Sequence, residues 1–211
     1  VMLLEQQVNI ITDKVIQRLS EGHNPNPPDN SFDIRYVYHA ARQGDIDKIF
    51  TYGFESFFVG KGVGNMYGRG VYTTSDLESS IYNAKKGTYG SIIVRCELQS
   101  YDRFLIWEPA IAKKVYGHKW RMRDQLEMLL PEYIDDMKSS TSGDIPGFSN
   151  LYDLMTRIKG HTALAARQFW LYCRSSSRRN GNPWDKVLGL VFFGLNDGHV
   201  AVIKDVKNPI P

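Results

Sequence analysis

Tyr38-His39-Ala40 and, further along, Gly68-Arg69-Gly70-Val71-Tyr72 are the stretches of this chain that decide its fold. The first ends an apolar run typical of a strand, and the second is a glycine-rich turn that leads into another strand. Between them, residues 49–54 are expected to form a short helix that closes on a glycine. This order predicts that His39 and Tyr72 converge on a shared cleft.

The composition is that of an ordinary globular protein. The chain has 211 residues, enough for one substantial domain, with 42% hydrophobic and 23% charged residues. A net charge of +3 is too small to predict nucleic-acid binding over the whole surface, and Arg174, Arg178 and Arg179 are interpreted as a solvated loop. Cys96 and Cys173 are too few for a disulfide framework, which favours a reducing compartment.

The N-terminal segment is predicted to be separate from the main domain. Leu4, Val8, Ile11 and Val15 recur at helical spacing, which predicts an amphipathic helix over about residues 3–20. A linker rich in proline and asparagine completes a segment over residues 1–31, and the main domain is expected over residues 32–211. No signal peptide and no apolar span that could cross a membrane is visible, so we expect a cytoplasmic protein or one delivered into a host cell. The chain is expected to be a module of a larger protein.

Strand and helix signals mix from residue 32 onward and predict the α+β class. Asp45 and Asp76 are predicted N-caps of two helices. Asn196-Asp197-Gly198 is predicted to join two closing strands in a tight hairpin. The remaining elements are strands at 34–39, 91–98, 187–193 and 199–203, and helices at 120–137 and 162–172.

The two opening motifs resemble the NAD-binding core of the ADP-ribosyltransferases related to diphtheria toxin and the poly(ADP-ribose) polymerases. That family carries a histidine, a tyrosine and usually a glutamate on three strands. Here Tyr38-His39-Ala40 matches the first motif, Gly70-Val71-Tyr72 matches the second, and Ser80 lies at the spacing of the serine that holds nicotinamide. The detailed match covers roughly residues 36–98, and similar modules occur in some phage and bacterial proteins.

The resemblance implies a mixed, mainly antiparallel split sheet with flanking helices and a helical insertion over about residues 108–175. It also implies NAD as substrate and no metal. A cationic pyridinium ring is held by aromatic faces, and a ribose is oriented by hydrogen bonds to its hydroxyl groups. The roles implied are ribose positioning by His39, stacking by Tyr72 and Tyr82, a carboxamide clamp from Ser80 and the Ala40 backbone, and close approach of backbone at Gly68 and Gly70.

The third motif departs from the family pattern. His199 occupies the place of the glutamate, and Asp197 lies two residues earlier. Three alternatives follow: a mono-ADP-ribosyltransferase in which Asp197 or His199 substitutes, a catalytically silent NAD- or ADP-ribose-binding module, or a structural module. The first is favoured, with NAD glycohydrolysis as a side activity and without chain extension. Tyr82 is also one residue closer to Tyr72 than the family spacing.

Other chemistry is not supported by the sequence. Gln125-Leu126-Glu127 mimics the signature of the arginine-modifying toxins but lies in a helical stretch, so Glu127 is interpreted as a surface charge. The histidines lack metal-ligand spacing, and no nucleophile elbow or phosphate-binding loop occurs. The acceptor is expected to be a macromolecule, with protein favoured over nucleic acid. It would approach the glycine-rich loop 59–67, where Lys61 and Asn65 could touch it.

Overall fold

A computed structural model of the protein describes residues 36–52, 54, 70–85, 90–97, 101–140, 145–159, 162–174, 181–194 and 198–204. The predicted N-terminal helix and linker, the loop 59–67, Gly68 and Asp197 lie outside these described residues. Within them, the chain is a mixture of helices and a mainly antiparallel sheet, which confirms the α+β class.

The described strands form one six-stranded sheet in the order β3-β1-β2-β6-β5-β4. All neighbours run antiparallel except β4 and β5, which are parallel. This order places the strands that carry the three predicted motifs, β1, β2 and β6, side by side. The bounds are β1 Tyr36–Ala41, β2 Gly70–Thr74, β3 Ile92–Glu97, β4 Phe104–Ile106, β5 Gly189–Gly194 and β6 Gly198–Lys204.

Most of the described helices lie between β4 and β5 in the sequence. None of the described helices is long and apolar enough to cross a membrane. The bounds are α1 Gln43–Tyr52, α2 Leu77–Lys85, α3 Pro109–Tyr116, α4 Met122–Leu129, α5 Ile134–Ser139, α6 Leu151–Arg157 and α7 Thr162–Arg174, with 3₁₀ turns at Gly117–Lys119, Pro131–Tyr133 and Pro183–Asp185.

Several boundaries differ from the prediction. The single helix predicted over 120–137 is wrong: it divides into α4 and α5 around Pro131, which lacks the amide that a continuous helix needs. Asp45 is not an N-cap, because α1 begins at Gln43 and Asp45 lies in its first turn. Strand β4 and helix α6 were not predicted. The hairpin of β5 and β6 is confirmed by their antiparallel pairing.

Helices cover both faces of the sheet, and side-chain alternation divides the core between them. On β5, Leu190 and Phe192 point into the cluster formed with helices α4 to α7, whereas Val191 points into the cluster formed with α1 and α3. We call the first face the bundle face and the second the α1 face. Helix α2 packs against the neighbouring strands β1, β2 and β3.

The pairing between β1 and β2 is much shorter than that of either strand with its other neighbour. Strand β1 pairs with β3 from Tyr36 opposite Glu97 to Ala41 opposite Ile92. Within the described residues, β1 and β2 share a single register position, Tyr38 opposite Thr74. The two halves of the sheet therefore separate at this junction, which we call the β1–β2 junction.

Candidate functional site

The His39 imidazole spans the β1–β2 junction. Its Nδ1 lies 2.8 Å from the carbonyl oxygen of Tyr72, which can only accept, so Nδ1 carries the proton and donates. The ring also packs against Phe54, just after α1, with centroids 5.1 Å apart and planes 85° apart. This edge-to-face geometry is a favourable arrangement for two rings. The contact fixes the imidazole from a second side.

The His39 environment favours the neutral ring. Burial lowers the pKa of His39 below its ordinary value of 6.5, although the hydrogen bond to Tyr72 and the nearby Asp45 carboxylate act to raise it. A neutral imidazole with the proton on Nδ1 has a lone pair on Nε2. No bond to Nε2 is seen within the part of the chain that the structure describes. His39 can therefore accept a hydrogen bond from a ligand hydroxyl.

The Tyr72 side chain lies on the other face of the sheet. Because successive side chains alternate, the register of Tyr38 with Thr74 puts Tyr72 on the face of Ala40, opposite to that of His39. Tyr72 is partly buried and packs against the core of the bundle face. The register thus puts the imidazole and the phenol on opposite faces of the sheet, which does not agree with the predicted convergence of His39 and Tyr72 on a shared cleft. The imidazole meets Tyr72 through its backbone.

Helix α2 presents Ser80 and Tyr82 in different directions. Asp76 precedes the helix as predicted: its carbonyl accepts from the Ser80 amide at 3.1 Å, and its carboxylate accepts from the Ser79 hydroxyl at 2.5 Å. Ser80 is buried, with 3% of its surface exposed, whereas Tyr82 is 57% exposed. Residues two apart on a helix are about 200° apart around its axis. The helix therefore gives no support to Tyr82 sharing a pocket with Ser80.

Of the remaining predicted site residues, Ala40 and Gly70 are described in full, and His199 only in its backbone. Ala40 is partly buried on β1 opposite Ile93, and Gly70 is buried at the start of β2. His199 lies on β6 opposite Phe193, next to the strand of Tyr72, and its side chain lies outside the description. The structure thus brings the three motif strands together, while the groups predicted to replace the glutamate, the His199 side chain and Asp197, lie outside the described part.

Glu127 is confirmed as a surface charge. Its carboxylate is exposed on α4 and accepts from the Arg123 guanidinium at 2.9 Å. Sequence reasoning missed the role of its neighbour Gln125, which is fully buried and bonds to the main chain of Ile106. An isolated glutamine on an apolar helix face was the only signal. Among the described residues, no group of three or more histidine, cysteine or acidic side chains could hold a metal ion.

Comparisons with protein-family models, with curated proteins and with solved structures found no match for this chain.

Proposed function

We propose that this chain is an NAD-dependent mono-ADP-ribosyltransferase, which transfers ADP-ribose from NAD to an acceptor macromolecule. The observation that carries the proposal is the hydrogen bond from His39 Nδ1–H to the Tyr72 carbonyl oxygen. This bond joins the two motifs on which the family resemblance rests. It also leaves an imidazole acceptor at the place where the two halves of the sheet separate.

The reaction breaks the bond between C1′ of the ribose and N1 of the nicotinamide. The bonding electron pair leaves with nicotinamide and neutralises its pyridinium charge, while positive charge develops on the sugar. A nucleophile of the acceptor then bonds to C1′ and releases its proton to solvent. Water in the acceptor's place gives the NAD glycohydrolase side activity. Orientation of the ribose and stabilisation of the developing charge are the main tasks of the protein.

The ligand is placed at the β1–β2 junction. A ribose hydroxyl donates to Nε2 of His39, which is consistent with the neutral ring that burial favours. The Tyr72 side chain lies on the opposite sheet face, so the register does not support its stacking on a nicotinamide held at His39, and Tyr72 acts here through the carbonyl that fixes the imidazole. The carboxamide is assigned to Ser80 and the backbone of Ala40, with Gly68 and Gly70 allowing close approach.

The charge-stabilising role is assigned to His199 or Asp197. His199 is on β6, which pairs with β2 from Gly70 opposite Lys204 to Thr74 opposite Val200, so its strand adjoins that of Tyr72. Since a neutral histidine brings no negative charge, a single transfer is proposed and chain extension is not. The acceptor is proposed to be a protein that approaches the loop 59–67.

A second candidate function is a catalytically silent NAD- or ADP-ribose-binding module. The observation that favours it is the histidine at position 199, where the family has a carboxylate. His39 would still orient the ribose in such a module, because its hydrogen bonds do not depend on the reaction. Tight NAD binding without nicotinamide release distinguishes this candidate from the transferase.

The test uses NAD labelled on the adenylate half, incubated with the protein and a cell lysate, with transfer to macromolecules and nicotinamide release both measured. The variants are His39→Ala and Tyr72→Ala. Loss of the orienting imidazole is expected to lower the rate by about 100-fold in His39→Ala, whereas Tyr72→Ala keeps the carbonyl that holds the imidazole and should lower the rate less. The matched control is His118→Ala, which removes an exposed histidine of the Gly117–Lys119 turn and should leave the rate unchanged. Equal labelling by all four proteins would contradict the proposal.

A gain-of-function variant separates the two candidates. His199→Glu restores the carboxylate of the family pattern, so nicotinamide release should rise above that of the parent if the junction holds NAD correctly. If the parent binds NAD without releasing nicotinamide, and the His199→Glu variant releases it, the parent is a silent binding module. A parent that already releases nicotinamide and labels acceptor macromolecules is the transferase.

A further inference from the structure

Gly90 lies against the end of strand β1, just before β3. Its φ is +142°, a conformation that side-chain-bearing residues rarely adopt. A Cβ built on Gly90 would lie 2.1 Å from the carbonyl oxygen of Ala41 and 2.7 Å from the amide nitrogen of Arg42. Both distances are far below van der Waals contact, so no side chain fits there without movement.

The atoms that block a Cβ at this position belong to the main chain. They cannot rotate away as the end of a flexible side chain could. Ala41 is the last residue of β1, is 3% exposed, and pairs with Ile92 of β3. A substitution at Gly90 must therefore push the segment that enters β3 and the end of β1, which also carries His39 and Ala40, apart from one another.

We propose that Gly90 is a positioning residue of the candidate site: its missing side chain lets the segment entering β3 hold the end of β1, and with it His39 and the Ala40 backbone, in place. The inference rests on the proposed function for its catalytic consequence. Its structural consequence, a fixed orientation of the His39 ring toward Tyr72, is independent of that function.

The chain offers a matched control in Gly147. This glycine also has a positive φ, +93°, but nothing lies within 4 Å of a Cβ built on it. Gly147→Ala therefore carries the backbone strain of a positive φ without the collision. The difference between Gly90→Ala and Gly147→Ala isolates the effect of displacing β1.

The experiment measures two properties of each variant. The first is the ring-nitrogen NMR signals of His39, which report which nitrogen carries the proton. Gly90→Ala is expected to shift them, because the Tyr72 carbonyl is no longer in reach, whereas Gly147→Ala leaves them as in the parent. The second is kcat/KM for nicotinamide release. A displacement of about 1 Å lowers it by about 100-fold in Gly90→Ala and leaves it unchanged in Gly147→Ala.

The outcomes separate this inference from the proposed function. Parent-like His39 signals in a folded Gly90→Ala variant overturn the inference, whether or not the parent reacts with NAD. A parent that neither binds nor cleaves NAD defeats the proposed function, and the ring signals alone then decide the role of Gly90. If Gly90→Ala does not fold, NAD is titrated into the parent: where the Ala40 amide signal shifts, the Gly90 amide signal should shift with it, and an unmoved Gly90 signal beside a shifted Ala40 signal overturns the inference.

Discussion

Two polar side chains bond to the main chain of strands in this sheet: Gln125 at the outer edge and His39 in the interior. They differ in how many of their hydrogen-bonding atoms remain without a partner. At the edge, Gln125 donates from Nε2 to the carbonyl oxygens of Ile106 at 2.9 Å and Trp120 at 2.7 Å. Its Oε1 accepts from the Ile106 amide at 2.7 Å. At the β1–β2 junction, His39 makes one such bond, to Tyr72.

A structural polar side chain and a ligand-binding one differ in whether all of their hydrogen-bonding atoms are already engaged within the protein. Gln125 is fully buried, and both its donors and its acceptor oxygen are engaged. Nothing remains for a ligand, so its role is to complete the edge of strand β4. His39 is partly buried, and within the described residues its Nε2 has no hydrogen bond and retains an acceptor. Substitution of Gln125 should therefore affect stability, and substitution of His39 should affect ligand binding.

The largest effect on stability is expected from Gln125→Leu. This variant keeps the side-chain volume but leaves the amide and carbonyl of Ile106 and the carbonyl of Trp120 without their partner. A buried main-chain group without a partner costs about 1–3 kcal/mol, so unfolding should become easier by about 3 kcal/mol or more. Urea denaturation followed by circular dichroism measures the change.

The control for this variant is Glu127, two residues further along α4. Glu127→Ala removes an exposed carboxylate whose ion pair with Arg123 is at the surface, so it should change the stability by less than about 0.5 kcal/mol. Equal urea midpoints for Gln125→Leu and Glu127→Ala would show that the edge bonds contribute little. Gln125 would then have no structural role at the edge that sets it apart from His39.

The fold could be predicted from the sequence where a pattern is local. Strand β3 alternates over several residues, and β5 is a continuous apolar run. The predicted bounds of β1, β3, β5 and β6 fall within two residues of the observed ones. Strand β4 has only three residues, too few for alternation to show, and its parallel pairing with β5 depends on residues distant in sequence. Pro131 is a local signal for a helix end, but the helical spacing of apolar residues on both sides of it favoured one continuous helix.

The candidate site could be predicted in part. The motif order indicated that His39 and Tyr72 are neighbours, and the structure puts a hydrogen bond between them. It could not indicate on which sheet face each side chain lies, because a shift of one residue in register moves every side chain to the opposite face. The register of β1 with β2 is fixed by one position at a splayed junction, and no local pattern sets it.

The ring of Phe54 packs against the imidazole of His39 and shields it from water. Phe54→Ala removes a partly buried ring and should reduce stability by about 2 kcal/mol. It should also admit water to the imidazole, so the pKa of His39 should rise toward its ordinary value. Titration of the His39 ring signals by NMR measures the shift. Phe54→Leu, which keeps an apolar side chain, should move the pKa less, and equal pKa values in all three proteins would mean that Phe54 does not desolvate His39.

The smallest effect is the dependence of stability on pH that His39 contributes. Its pKa is lower in the folded protein than in the unfolded chain, where it is about 6.5, so below that pH the unfolded state binds the proton first. Stability from this group is therefore fully present above pH 6.5 and is lost as the pH falls toward the folded pKa, with a slope of at most about 1.4 kcal/mol per pH unit. His39→Gln cannot titrate, so the difference in unfolding free energy between it and the parent should shrink as the pH falls. A difference that stays constant from pH 7.5 to 5 would mean that the folded protein protonates His39 as readily as the unfolded chain does. The imidazole would then be a solvated group rather than the neutral acceptor that distinguishes the junction from the edge.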